Sequence, residues 1–152
     1  MTPHDTPITH TAHARTVRCP SAWECRLVPM TELPAPGTSS NAAYNAVLDS
    51  VGNNHQGTIY PKAEQAVEPL LAIALATPGW PAKTALSALT EMIGSFQPVQ
   101  QGWGAPDPGM KQRMRMAVGR HRGELIALAQ GDDSFGTAER ARELLAELNE
   151  DD

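Results

Sequence analysis

Apolar residues recur every three or four positions in five segments of the chain, the spacing that places them on one face of an α-helix. The most regular segment lies between Pro81 and Pro98, and the segment before it begins after Pro61. Only residues 77–80 separate the two, so we expect antiparallel neighbouring helices. Their apolar positions are Ala63, Ala66, Val67, Leu70, Leu71, Ala74 and Leu75, then Ala82, Ala85, Leu86, Leu89, Met92, Ile93 and Phe96.

Two helices carry residues that predict an interruption. Pro69 has no backbone N–H, so its helix is expected to kink or divide near residues 65–68. In the segment 109–130, Gly119 and Gly123 each cost about 1 kcal/mol relative to alanine in a helix interior. A break near His121 is therefore expected.

The first and last helices are shorter and have their own end signals. Thr38-Ser39-Ser40 offers hydroxyls that can cap a helix over 41–50, and Gly52-Asn53 is expected to end it in the left-handed conformation. Ser134 or Thr137 is expected to cap the last helix, which buries Ala138, Ala141, Leu144, Leu145 and Leu148.

The order of elements predicts an all-α fold. Hydrophobic residues make up 41% of the 152 residues and aromatic residues only 5%, which favours closely packed helices over a β-sandwich. The loop from Gln97 to Pro108 is too rich in glycine and proline for regular structure. Helix, short turn, helix, longer loop, helix, turn, helix is the order found in a short α-solenoid of four or five helices. We assign this domain to residues 39–152.

Residues 1–38 are rich in proline, histidine and threonine and predict an irregular N-terminal extension. The segment has no apolar core of a secretory signal, and no stretch of the chain is long and apolar enough to span a membrane. A cytoplasmic protein with Cys19 and Cys25 reduced is expected. Met30 is an alternative start, with residues 1–29 as an upstream extension.

The sharpest charge feature is a run of basic residues without an acid, in a chain whose net charge is −5. Helical spacing places Lys111, Arg115 and Arg122 on one broad face, and Arg113 and Arg120 on another. The run is interpreted as a solvated face, as a contact for an acidic protein partner, or as a nucleic-acid contact. The overall acidity and few aromatics make nucleic acid the least favoured.

Trp103 lies between two glycines in the loop before the basic run, where an indole can anchor a partner. The predicted partner-binding residues are therefore Trp103, Lys111, Arg113, Arg115, Arg120 and Arg122.

No set of residues in the sequence predicts catalysis. His55 near Tyr60 has no nucleophile or carboxylate pair beside it, so His55 and Gln56 are expected to satisfy backbone groups of a turn. The spacing of His10, His13, Cys19 and Cys25 matches no familiar zinc pattern. We expect no metal, no cofactor and no enzyme, and keep as an alternative a small metal-binding or enzymatic protein using one of these groups.

One stretch resembles a known family. The run His55-Gln56-Gly57-Thr58-Ile59-Tyr60-Pro61, followed by Ala66-Val67 and Pro69-Leu70, is similar to a turn and helix of HEAT-repeat proteins of actinobacterial type. The segment 118–148 also resembles a HEAT helix pair. The resemblance implies a HEAT-like solenoid over 41–150, with His55, Gln56, Gly57, Tyr60 and Pro61 as a structural turn. It also implies a non-enzymatic interaction module, one version being an immunity or inhibitor protein that acts beside a bacterial toxin.

Overall fold

The structure, a computed structural model, describes residues 38–99 and 107–150, with side chains from residue 41 onward. It is mostly helical, with six α-helices in the described residues rather than four or five, because the segment 109–130 forms two. The helices are α1 (Thr38–Val51), α2 (Ala63–Ala76), α3 (Trp80–Ile93), α4 (Pro108–Gly119), α5 (Arg122–Ala129) and α6 (Thr137–Glu147). The strands are β1 (Gly52–Asn53), β2 (Thr58–Ile59) and β3 (Gln97–Pro98), with a 3₁₀ turn at Asn54–Gln56.

Helix α3 lies at the centre of the molecule and packs against α1, α2, α4 and α6. Every apolar position predicted for α3 is buried, and so is every one predicted for α2 except Leu75, which is half-buried. Burial of each leucine-sized side chain contributes roughly 1.5–3 kcal/mol, so this pair of helices supplies much of the core.

The helices form two layers: α2 lies beside α4 and α5, while α1 and α6 flank α3. Helix α2 runs in the same direction as α4, and α3 runs in the same direction as α6. In the first layer, Glu64 reaches Arg113 and, one turn later, Glu68 reaches Arg120. In the second layer, Phe135 lies against Gly79 before α3, and Glu147 lies against Gly94 after it. The hairpin α2–α3 therefore packs alongside the helices α4 to α6.

A small three-stranded sheet corrects the all-α prediction. Strand β2 pairs antiparallel with β1 and parallel with β3, and Val99 N donates to the carbonyl of Ile59 at 2.8 Å. Gly52 is in this sheet and not in a left-handed helix end. A Cβ atom there would lie 2.0 Å from the carbonyl oxygen of Thr58, so only glycine fits. The pair Gln97-Pro98 likewise has regular structure inside the predicted loop.

The predicted interruptions have different outcomes. The break near His121 is confirmed, since α4 ends at Gly119 and α5 begins at Arg122. Helix α2 is not divided at Pro69 and continues to Ala76. Its buried face holds it together on both sides of the proline, at the cost of one backbone hydrogen bond.

The last helix is capped by a residue that differs from the expected ones. The carboxylate of Asp133 accepts from the backbone N–H groups of Ala138 at 2.9 Å and Glu139 at 3.3 Å. Ser134 Oγ instead donates to Asp132. A carboxylate at a helix start also interacts favourably with the helix dipole.

The predicted extension at residues 1–38 lies outside the described residues, except for Thr38, which begins α1. His10, His13, Cys19, Cys25 and Met30 are in that part of the chain. Within residues 38–99 and 107–150, no helix is both long and apolar enough to cross a membrane.

Candidate functional site

The basic run lies on α4 and at the junction of α4 with α5. Helix α4 buries Met110, Met114 and Val118, which turns the other positions outward. Asp107 caps the helix start, because its carboxylate accepts from Gly109 N at 3.0 Å. Helical periodicity then divides the basic side chains between two faces of the same helix, as the spacing predicts.

On the face towards α2, Arg113 is neutralised within the chain. Its Nη2 atom lies 2.5 Å from Glu64 Oε1 and 2.7 Å from Asp107 Oδ2, and its Nε atom donates to Glu64 as well. The hydrogen bond to Glu64, followed by the one to Asp107, raises the pKa of the Arg113 guanidinium. The hydrogen bond from Arg113 lowers the pKa of Asp107. Two acids therefore share one arginine here.

The junction of α4 and α5 continues this pattern towards α2. Arg120 Nη1 lies 3.8 Å from Glu68, and His121 Nε2 lies 3.2 Å from the same carboxylate. The other ring nitrogen of His121 lies 3.7 Å from Glu124. On this face of α4 and at its end, Arg113 and Arg120 are thus opposed by acids of α2.

The opposite face forms what we call the basic groove, with Lys111, Arg115, Met116, Arg122 and Leu148 in its lining. It is a shallow groove of about 600 Å³ that also includes Pro108, Gln112 and Gly119. Among the described residues, its lining holds three cations and no acid. Met116 is 64% exposed, and Leu148, expected in the core, is half-buried. The groove therefore combines positive charge with apolar surface.

Within the basic groove, Lys111 and Arg122 bind to neutral oxygen atoms. Lys111 Nζ donates to the carbonyl of Gly94, and Arg122 Nη2 donates to the side-chain oxygen of Asn149. Burial and then the charge of Arg115 lower the pKa of Lys111, whereas Glu147 acts against this shift. These contacts fix the side chains without cancelling their charges.

The turn that carries the family resemblance has a structural arrangement. Gly57 adopts φ 61°, in the left-handed region, and its N–H donates to Asn54 O. The expectation that the side chains of His55 and Gln56 satisfy backbone groups of the turn is wrong. Asn53 Oδ1 accepts from Gln56 N, and the side chains of His55 and Gln56 are exposed. The side chain of Asn53, three residues before Gln56, satisfies that amide instead.

The last residues of the turn connect it to the next helix. Tyr60 N donates to the carbonyl of Val51 at 2.8 Å, so the turn closes β1 against β2. Tyr60 is half-buried and Lys62 Nζ lies 5.8 Å from its ring centroid, while Pro61 precedes the helix that begins at Ala63. No group of three or more His, Cys, Asp or Glu residues that could hold a metal occurs in the described part of the chain.

Two further points concern the site as a whole. Trp103 lies outside the described residues. A second groove, over α3, was not expected at all: it includes Trp80, Lys83, Phe135 and Arg140. Its residues come from separate segments and form no run, so nothing in the sequence marked them.

Comparisons with protein-family models, with curated proteins and with solved structures find no match to this chain. The function must therefore be argued from the geometry of the chain's own residues.

Proposed function

We propose that this chain is a non-enzymatic protein-binding module whose basic groove contacts an acidic segment of a protein partner. The observation that carries the proposal is the division of charge on α4 and α5. Arg113 and Arg120 face acids of this chain, whereas Lys111 and Arg122 line the basic groove and donate to neutral oxygen atoms. Positive charge held by neutral acceptors beside exposed apolar surface is typical of an interface that selects an oppositely charged partner.

The architecture supports this proposal. The hairpin α2–α3 packs alongside the helices α4 to α6. In this second group, α4 and α5 together correspond to one helix that is broken at Arg120–His121. Such stacking of one hairpin on the next is the arrangement of a HEAT-like α-solenoid, with α1 as the remaining half of a hairpin. Helical stacks of this kind present extended surfaces to protein partners.

The chemistry of the groove describes the partner segment. Its carboxylates would face Lys111 and Arg122, and a leucine- or methionine-sized side chain would lie against Met116 and Leu148. Nucleic acid is the less favoured ligand, because three cations neutralise few phosphates and the chain's net charge is −5. Trp103, which lies outside the described residues, stays a partner-binding residue predicted from the sequence alone.

An immunity or inhibitor protein that neutralises an acidic toxin is one specific form of the proposal, by analogy with helical-repeat proteins of this size. We place its action in the cytoplasm, again as a proposal. The partner, not a metal or cofactor, is the ligand that this function requires.

The test measures binding of a labelled peptide to the full chain by fluorescence anisotropy. The probe, called the acidic peptide below, has glutamates flanking one leucine and blocked ends, and its neutral counterpart has glutamine for each glutamate. We expect the acidic peptide to bind at low salt and its affinity to fall as the salt concentration rises. The neutral peptide should bind much more weakly.

Matched variants locate the contact. Arg122→Gln and Arg120→Gln remove the same charge two residues apart, but only Arg122 lines the basic groove. Arg122→Gln should weaken binding of the acidic peptide several-fold, with Arg120→Gln close to the parent protein. Equal effects of the two variants would overturn the proposal, as would tighter binding of a single-stranded DNA carrying the same label.

A further inference from the structure

The second groove lies over the central helix α3, on the layer of α1, α3 and α6. It has a volume of about 550 Å³. Its floor is a polar stripe of α3, and its walls come from α1 and α6. The lining residues are Thr84, Ser87, Thr90 and Glu91 on the floor, Asn41 and Tyr44 on α1, Arg140 and Glu143 on α6, and Trp80, Lys83 and Phe135 towards the start of α3. We call it the α3 groove.

Thr84 on the floor of this groove is an unusual buried residue. It is only 5% exposed, and its hydroxyl makes no hydrogen bond within residues 38–99 and 107–150. Thr90, two turns later, instead donates to Leu86 O at 2.9 Å, the ordinary way in which a helical threonine satisfies its hydroxyl. Since Thr84 lines the groove, its hydroxyl is available there to a ligand atom.

Two cationic side chains add unused donors to the groove. Arg140 Nη1 pairs with Glu143, but its Nε atom is buried and has no acceptor among the described residues. Lys83 Nζ lies beside Gly136, the residue just before α6 and one turn before Arg140. Lys83 forms no ion pair within the described part of the chain. Lys83, Arg140 and Thr84 together favour an anionic ligand with several oxygen atoms.

An aromatic pair marks the same end of the groove. The ring of Phe135 is 55% exposed and lies against Gly79, where a Cβ atom would be 4.0 Å from it. Trp80, which follows Gly79 in the chain, is half-buried at the edge of the core. Exposed aromatic surface beside a lysine favours an apolar side chain that stands next to an acid.

The other end of the groove is acidic. Glu91 accepts a hydrogen bond from Ser95 and lies close to Tyr44, where burial and then this carboxylate raise the pKa of the phenol. Glu143 is already paired with Arg140. A ligand carboxylate is therefore repelled from the Glu91 end and attracted to the Lys83 end, which sets its orientation.

We propose that the α3 groove binds a short segment of a protein partner in which an aromatic or aliphatic side chain stands next to a carboxylate. The apolar side chain lies against Trp80 and Phe135, and the carboxylate accepts from Lys83 and Thr84, in the part of the groove that Arg140 also lines. This site lies on the opposite helix layer from the basic groove and uses none of its residues.

The test follows amide shifts of the isotope-labelled full chain by NMR during titration with short blocked peptides. The first contains Phe followed by Glu, the second replaces Glu by Gln, and the third replaces Phe by Ala. The first should shift the amides of Lys83, Thr84, Phe135 and Arg140, and the two controls should bind at least about tenfold more weakly.

Three variants complete the test. Phe135→Ala changes an exposed side chain and should reduce binding of the first peptide about tenfold, while Thr84→Val, of nearly equal volume, should reduce it about threefold. Arg122→Gln in the basic groove should leave this binding unchanged, which separates the two sites. Shifts confined to the basic groove, equal binding of all three peptides, or no shift of the four amides would overturn the inference.

Discussion

The two faces of α4 carry the same kind of side chain and use it differently. Towards α2, Arg113 is held by Glu64 and Asp107 at 2.5 and 2.7 Å, so its charge is cancelled inside the molecule. Towards the basic groove, Lys111 donates to a backbone carbonyl, which fixes its position and leaves its charge. One face joins two helices, and the other, in the function that we propose, offers its charge to a partner.

The difference follows from what the neighbouring helix presents. Helix α2 places Glu64 and Glu68 one turn apart, opposite Arg113 and Arg120. Beyond the groove the neighbour is the end of α6, where Leu148 is part of the lining and Glu147 acts on Lys111 without forming an ion pair among the described residues. A basic run can therefore be half structural and half functional, and only the packing partner of each face decides which half is which.

The largest effect, a loss of stability, is expected at Met114, the buried residue on which both faces of α4 depend. Met114 is 1% exposed beneath α4, so Met114→Ala should lower the free energy of unfolding by about 2–5 kcal/mol. Met116, two residues later in the same helix, is 64% exposed. Met116→Ala should change the free energy of unfolding by no more than about 0.5 kcal/mol. Urea denaturation of both variants measures the two values.

The same pair then separates stability from binding. Met116→Ala should weaken binding of the acidic peptide, since Met116 lines the basic groove, while the protein stays as stable as the parent. Equal losses of stability in the two variants would show that the outward face is part of the core, and the comparison of faces would fail.

An intermediate effect is expected at Asp107, where a pH series isolates the structural face. Asparagine keeps the cap on Gly109 N but removes the charge that meets Arg113, so Asp107→Asn should lower Tm by a few degrees at neutral pH. Because the pKa of Asp107 is lowered from 3.8, this stabilisation is present above pH 3.8 and lost as the pH falls through the folded-state value.

The measurement is Tm of the two proteins between neutral and acidic pH. The difference between them should shrink below pH 3.8, where the parent also becomes protonated at this position. A difference that stays constant would mean that the charge of Asp107 contributes nothing and that Arg113 is not held as described.

Most of the helical core could be predicted from the sequence, because burial on a helix repeats every three or four residues. Leu86 and Leu89 are completely buried at the spacing that marked them. The sheet could not be predicted, since its strands have two residues each and show no alternation. Only the fit of Gly52 against Thr58 reveals why a glycine stands there.

The site was predicted in part for a similar reason. Helical spacing separated Arg113 from Lys111, but the acid that meets Arg113 is Glu64, 49 positions earlier in the chain. That contact depends on how α2 packs against α4, which no local pattern records. The α3 groove was missed because Lys83 and Phe135 meet only when α3 and α6 lie side by side.

The smallest expected effect is a gain of binding, and it tests whether the charge of the basic groove is in fact available. Glu147 lies close enough to Lys111 to favour its charged form, so it offsets part of the positive field. Glu147→Gln should therefore tighten binding of the acidic peptide about twofold at low salt, and this gain should vanish at high salt. Glu124→Gln makes the same change in net charge beside His121 on the other face and should leave the affinity unchanged. If both variants tightened binding equally, the peptide would be responding to the net charge of the whole protein, and the basic groove would have no special part in it.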